Sequence, residues 1–472
     1  MEFDTGLAYH AVIAAFVQPQ QVAAAGAAPP GSAPGASAPD ARTAWSVPHR
    51  AARQPTGAAA VAARATRLDD LPPEILRQIA TYTPFDDIGS LSTAARHTYY
   101  ALWDSRRSWL CCERADNVRQ LDSSRAHQLL DEIEYIGGAP MLRAAPLQAL
   151  WPRIPELPQQ YQPHAYKRIF EMANRLPAHA ALPILEGVIG TLPGLAAEHR
   201  LSLYDFVYAA VERSNVDRGQ LWAMLAWSLG CLPVDPQHFE REYLVFLNRL
   251  PSLDATAQAR LLTQLALLLR GFCDNGVHSQ ATLAGYHRLV YDWVQRLPPS
   301  LQGMPVGALA HVIWLLPEPQ MSAHYADLRR LTQALPDHQL GHAMRHLPAA
   351  LSMLPPQYHT AEFALLELMV NRIPAQHRET VALGLLEGSI GLGEALSKRG
   401  WQLALRLLDN GDGMQLFTVL DDLAERQLLP LLSGQQWADA VDEILQFCER
   451  NRLGDTDRAM LLDFIAQHGT DR

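Results

Sequence analysis

Three histidines, His338, His342 and His346, follow one another at intervals of four, so an α-helix would stack them along one side. Two imidazoles at i and i+4 can share a zinc ion, but three along a straight helix spread too far for one ion. No HExxH arrangement and no neighbouring cysteine accompanies them. The expected role is a solvated or groove-lining face whose contacts change below about pH 6.5. Cys273-Asp274-Asn275-Gly276-Val277-His278 places a thiol near an imidazole, but Asn-Gly marks a turn, and catalytic Cys and His usually meet through a fold and not along a loop. Cys111-Cys112 reads as a buried helix end without the neighbours that activate a thiolate. The chain has no phosphate loop and no GxSxG, and Asn410-Gly411-Asp412-Gly413 lacks the other acidic ligands of a calcium loop. No catalytic set, cofactor or metal site is expected.

The elements that would carry any other function follow from composition. The chain has 472 residues, of which 48% are hydrophobic and 19% charged, with a net charge of −10. That balance is globular and gives no electrostatic case for nucleic acid. The five cysteines form no CxxC pair, which reads as a reduced compartment. Residues 1–66 are rich in Ala, Pro, Gly, Ser and Gln, too poor in large apolar groups to offset the entropy of ordering. Disorder is expected there, apart from a transiently helical patch at Leu7 to Val17. No Lys or Arg precedes Arg42, which argues against a secretory signal or an organelle transit peptide. No unbroken apolar run suggests a membrane span, so a soluble protein is expected.

The second half is periodic. Leu297-Pro298, Leu316-Pro317, Leu335-Pro336, Leu354-Pro355 and Ile373-Pro374 recur every 19 residues, and Leu392-Gly393 continues the series. Earlier steps, such as Leu157-Pro158 and Leu250-Pro251, keep looser spacing. Eleven residues after each proline stand Leu309, Leu328, Leu347, Leu366 and Leu385. Three before these stand Val306, Tyr325, Met344, Phe363 and Ala382, and seven after them the next Leu or Ile of the series. Those offsets make one apolar stripe per helix, with the Pro or Gly ending each helix. Two such helices form a hairpin of about 38 residues. The expected fold is all-α, with an α-solenoid of HEAT- or TPR-like size over residues 159–472 and a concave binding face. Residues 113–158 are expected to be a helical linker, apolar on the side of Leu129, Leu130, Ile133 and Ile136.

Near the front, Leu71-Pro72-Pro73-Glu74 begins a predicted helix in which prolines occupy positions with no N–H bond to lose and Glu74 meets the positive helix end. Ile75, Leu76, Ile79 and Tyr82 follow at helical spacing, and Pro84 stops the helix. Asp86 and Asp87 are N-cap candidates for a second short helix through Ile88 and Leu91, and a third is expected from Ala94 to Trp103. Three short helices are too few to bury a core unaided, so a partner is expected to complete them.

Residues 67–112 resemble an F-box, the helical motif that docks on a Skp1-type adaptor and through it on a cullin-RING ubiquitin ligase. The resemblance rests on Leu71, Pro72, Glu74, Ile75, Leu76, Ile79, Phe85, Asp87, Ile88, Leu91 and Arg96, with Trp109 near the family's closing tryptophan. It departs at Ala94, where valine is usual, and at Thr98, where a large residue is usual. The resemblance implies that Leu71, Pro72, Glu74, Ile75, Leu76, Ile79, Phe85, Ile88 and Leu91 contact the adaptor, while the helical array holds a target protein. Lys167 and Lys398 are the only lysines. Genomic GC bias explains that, and so does escape from modification by a recruited ligase, because a guanidinium is no substitute for an amine acceptor. With the non-basic front segment, this bias resembles a type III-secreted effector of bacterial plant pathogens, which implies action in the host cytoplasm or nucleus. The alternative is a non-catalytic α-solenoid scaffold that binds a host protein and does not recruit a ubiquitin ligase.

Overall fold

The structure, a computed structural model, describes residues 68, 71–84, 87–117, 119–214, 217–232, 235–274, 279–409 and 413–469, with the backbone alone at 273–274. The expectations for residues 1–66 lie outside these. Leu68–Arg472 forms one compact unit, and among its described residues all regular structure is helical. The helices are α1 (Pro73–Tyr82), α2 (Ile88–Thr93), α3 (Arg96–Ala101), α4 (Trp103–Asn117), α5 (Ser123–Glu134), α6 (Ala144–Leu150), α7 (Gln162–Ala173) and α8 (Ala178–Gly190). They continue with α9 (Ala197–Arg213), α10 (Arg218–Leu229), α11 (Pro236–Arg249), α12 (Ala255–Asp274), α13 (Gln280–Val294), α14 (Gly303–His311), α15 (Glu318–Ala334) and α16 (Asp337–Met344). The last are α17 (Leu347–Ser352), α18 (Pro356–Val370), α19 (Arg378–Ile390), α20 (Glu394–Leu407), α21 (Gly413–Glu425), α22 (Gly434–Arg450) and α23 (Asp455–Gly469).

From α4 onward the helices form a solenoid-like array of two layers. One layer runs α4, α6, α8, α10, α12, α14, α16 with α17, α19, α21 and α23, each member packed on the next. The alternate helices form the second layer and pack on the first. The 19-residue stripe explains this arrangement. Leu309, Leu328, Leu347, Leu366 and Leu385 are all buried, as are Val306, Tyr325, Met344, Phe363 and Ala382 three residues earlier. Each Val, Leu, Met or Phe among them contributes roughly 1.5–3 kcal/mol on burial. The first layer is packed to backbone contact in places. A Cβ on Gly384 would lie 2.2 Å from the Arg345 carbonyl oxygen, and one on Gly307 would lie 2.4 Å from that of His342.

The periodic prolines do something other than end helices. Pro317, Pro336 and Pro355 are the N-caps of α15, α16 and α18, and Gly393 takes the same place before α20. Their own carbonyls accept the first helical N–H bonds, as in Met321 N to Pro317 O at 2.9 Å. The residue before each proline is the one that leaves helical geometry, because the ring disfavours it there. That residue is buried in the core every time, from Leu297 to Leu392. Its carbonyl is commonly satisfied by a side chain five residues on. Gln162 reaches Leu157 O at 2.7 Å, Gln302 reaches Leu297 O at 2.8 Å, and His359 Nε2 meets Leu354 O at 2.7 Å.

The front helices have a small core of their own. Leu76, Ala80, Ile88, Ala101 and Leu102 form a cluster separate from the main one, with Leu68, Leu71, Leu91 and Trp109 packed around it. The α4 helix belongs to both regions, since Trp109 packs on this cluster while Cys111 and Ala115 enter the main core. Polar contacts fix the joint: Gly137 N donates to Asp104 Oδ1 at 3.1 Å, and Arg107 Nη1 to Tyr135 O at 3.1 Å. Leu129, Leu130, Ile133 and Ile136 lie in the same continuous core as the array. The segment expected to be a linker is therefore the first part of the stack, and α4 makes the join.

Candidate functional site

The α1 helix begins as its sequence predicts. Pro72 is the N-cap and Pro73 the first helical residue, and the Pro72 carbonyl accepts from Ile75 N and Leu76 N at 3.0 and 3.1 Å. The helix then divides its apolar residues between two faces. Leu76 and Ala80, four apart, point into the small core, and Leu76 has no exposed surface at all. Ile75, Ile79 and Tyr82, at offsets of four and seven, lie on another face. There Ile75 is 42% exposed, Tyr82 is 83% exposed and Ile79 is half-buried.

The positions implied by the F-box resemblance are thus split. Pro72, Glu74 and Ile75 are exposed, and Leu71, Ile79 and Leu91 are half-buried. Glu74 pairs only loosely with Arg77, at 3.8 Å across an exposed turn, a contact worth little in water. Leu76 and Ile88 are buried in the module's own core, so they support the surface and are not on it. Neighbouring helical positions point about 100° apart, which is why Ile75 faces out where Leu76 faces in. Phe85 lies outside the described residues. Short as they are, the three helices do close a small core with α4, but they leave large apolar side chains uncovered.

Three of those side chains were not singled out as contacts. Tyr82 on α1, Tyr100 on α3 and Trp103 at the start of α4 are exposed, and α1 packs on α3. Tyr99 meets Tyr100 edge-on with ring centroids 5.6 Å apart and Trp103 at 5.4 Å. Arg106 lies 4.7 Å over Tyr99. The i, i+3 spacing of Tyr100 and Trp103 held the signal. The departure at Thr98 has a local cause: its buried hydroxyl donates to Ala95 O at 2.8 Å and accepts from Ala95 N at 3.0 Å, capping α3. Trp109 packs across α2, where a Cβ on Gly89 would come within 3.0 Å of its indole. No protein-family model matches the chain. No curated protein matches it either.

Cys111 and Cys112 are both buried. Burial pushes the Cys111 thiol up to about 11, helped by the Glu132 charge, and the Cys112 thiol up to about 12, helped by Asp116. Neither is a nucleophile near neutral pH. Cys273 has no described side chain, and Asn275 to His278 and Asn410 to Asp412 lie outside the described residues. Among those that are described, no group of three or more His, Cys, Asp and Glu is arranged to hold a metal ion. No described helix is long and apolar enough to cross a membrane.

The histidine row differs from expectation. The helix breaks between α16 and α17, and the imidazoles of His342 and His346 turn into seams between repeats, while His338 stays exposed. His342 lies 4.7 Å from His377, and His346 lies 4.9 Å from His311. A further pair, His287 and His324, is joined Nδ1 to Nδ1 at 2.8 Å. Burial pushes His342 down to about 4, with the His377 and His338 charges adding to it, and pushes His346 well below its usual value. His342 and His346 are therefore not part of a solvated face that titrates near pH 6.5.

Proposed function

We propose that the chain is an F-box-type substrate receptor. In this reading α1 to α3 and the start of α4 dock on a Skp1-type adaptor, and the helical array presents a host target to the cullin-RING ligase that the adaptor brings. The observation that carries the reading is the uncovered apolar surface of the front module. Ile75, Tyr82, Tyr100 and Trp103 stand exposed on elements whose own core holds, among the described residues, five buried apolar side chains. Aromatic and branched apolar side chains of this kind anchor protein interfaces, and a module this small gains by burying them on a partner. The Leu71-Pro72-Pro73-Glu74 start supplies the second support. The chain's contribution to ubiquitin transfer is then proximity, with all bond-making left to other subunits.

The array's two-layer surface suits a protein target, and delivery by a type III secretion route into a plant cell fits the arginine-for-lysine bias. The experiment is co-purification with a plant Skp1-type adaptor, comparing wild type with Leu71→Ala/Pro72→Ala. Capture by wild type, its loss in the double variant, and unchanged far-ultraviolet circular dichroism are expected. Equal capture by both would remove the docking assignment. No capture by either would leave the scaffold reading, in which the array binds a host protein without ligase recruitment.

A further inference from the structure

The apolar surface of the front module continues into a cluster of rings and guanidinium groups on α3 and the first turns of α4. Tyr99 is its hub. Its ring centroid lies 5.6 Å from that of Tyr100 and 5.4 Å from that of Trp103, and the Arg106 guanidinium stands 4.7 Å over it. Arg96, one turn before Tyr100, lies 5.9 Å over the Tyr100 ring. Tyr100 is 64% exposed and Trp103 43%, and Arg96 is exposed as well. Arg107 stands four residues after Trp103, on the same side of α4, and donates through Nη1 to the Tyr135 carbonyl at 3.1 Å. Tyr135, at the end of α5, is itself exposed, so the strip reaches from α3 across α4 to the first loop of the stack.

These guanidinium groups lack the partner that many others in the chain take. Arg168 meets Asp131 and Arg288 meets Asp327 across the second layer at 2.8 and 2.9 Å, and Arg345 meets Glu387 across the first at 2.8 Å. Among the described residues no carboxylate pairs with Arg96, Arg106 or Arg107. The one acid between residues 96 and 107, Asp104, accepts from Gly137 N at 3.1 Å. Three arginines against one aspartate make this stretch cationic in a chain whose net charge is −10. A guanidinium lying over a ring keeps its N–H edge free for a fork to a carboxylate, and the rings beside it supply the anchors of an interface. Three cations are too few to hold a nucleic acid against the charge of the whole chain. They suit carboxylates set in an apolar protein surface.

We propose that Arg96, Arg106, Tyr100, Trp103 and Tyr135 dock an acidic segment of the Skp1-type adaptor, beside the contact made by α1. This docking rests on the receptor reading and adds the chemistry of the partner, which is Asp or Glu side chains flanking apolar ones. Continuity with the α1 face favours the same partner over a separate one. A stable interface engages about 20–30 residues a side, whereas α1 has ten residues, of which Leu76 and Ala80 are buried. A partner that spans Trp103 and Tyr135 touches the front module and the stack together, and so holds the array at a set angle to the adaptor.

The test is titration calorimetry of the full chain with a purified Skp1-type adaptor at about 50 and 300 mM chloride. Wild type is compared with Arg96→Gln/Arg106→Gln and with the single reversal Arg96→Glu. Arg96 is exposed and its side chain meets the Tyr100 ring, so the reversal should leave the module folded, checked by circular dichroism, even where the double variant does not. The expected result is wild-type binding that weakens several-fold at the higher salt. At the lower salt both variants should bind about tenfold more weakly than wild type, with a smaller response to salt. Wild-type affinity retained by the folded variants at both salts would overturn this docking face and leave the receptor reading standing. No binding by wild type would overturn both. Sedimentation of the chain alone, and beside a single-stranded oligonucleotide, covers the other occupants: self-association or oligonucleotide binding that the variants lose would assign the face elsewhere and overturn the proposal.

Discussion

His97 Nε2 lies 2.9 Å from the Leu71 carbonyl oxygen, joining residues 26 apart in sequence. A carbonyl only accepts, so the proton is on Nε2, and α3 holds the entry to α1 through this bond. Leu71, the first residue of the proposed docking stretch, is therefore fixed by the third helix and not only by the prolines that follow it. Replacing the imidazole should loosen that start. His97→Ala is expected to cost the front module about 1 kcal/mol, seen as faster amide exchange across α1 with the melting of the array unchanged.

The side chains that reach back to the residue before a proline give a second prediction. Gln302 satisfies the Leu297 carbonyl at 2.8 Å in a buried setting. Gln302→Leu keeps the bulk and strands that acceptor, which should cost about 1–3 kcal/mol. Chemical denaturation of the variant should show a lower midpoint at an unchanged slope.

The buried histidines set the acid response. Burial and the neighbouring His324 charge push His287 down to about 3, and burial, with Arg345, Arg270 and Arg426 against Glu387, pushes His311 down to about 4. His342 is also pushed down to about 4. Each is neutral in both states above the ordinary value near 6.5, so stability there is at its full level. Below it the unfolded chain binds protons that the folded chain refuses, and stability falls with pH until the folded values are reached. Each histidine should take away roughly 1.4 kcal/mol per pH unit across that window. The melting temperature should therefore drop steeply between pH 6.5 and 4, and less steeply in a His287→Gln/His311→Gln variant.

The array was legible because its stripe is local. Val306, Leu309 and Leu316 declare a helix and its buried side within one period, and every member of that stripe is buried. The role of the prolines was not legible, because a proline between two helices can close one or open the next. The cross-repeat contacts were hidden by their distance along the chain. His311 and His346 are 35 residues apart, as are His342 and His377, and Arg345 and Glu387 are 42 apart. These separations are close to one hairpin, so residues at equivalent places in successive repeats were the signal to seek. At the front, helical spacing separated the faces of α1 but could not say which faced inward. Leu76 and Ile88 went to the core, and Tyr82 and Tyr100 stayed outside.

The account depends most on the front module docking on an adaptor. Titration calorimetry between the purified chain and a purified Skp1-type adaptor measures this directly, with Ile75→Asp/Tyr82→Asp as the paired variant. Both side chains are exposed, so their replacement spares the module's core. The account predicts saturable one-to-one binding by wild type and a loss of about thirtyfold or more in the variant. Absence of binding by wild type, or the same affinity in both, would contradict it.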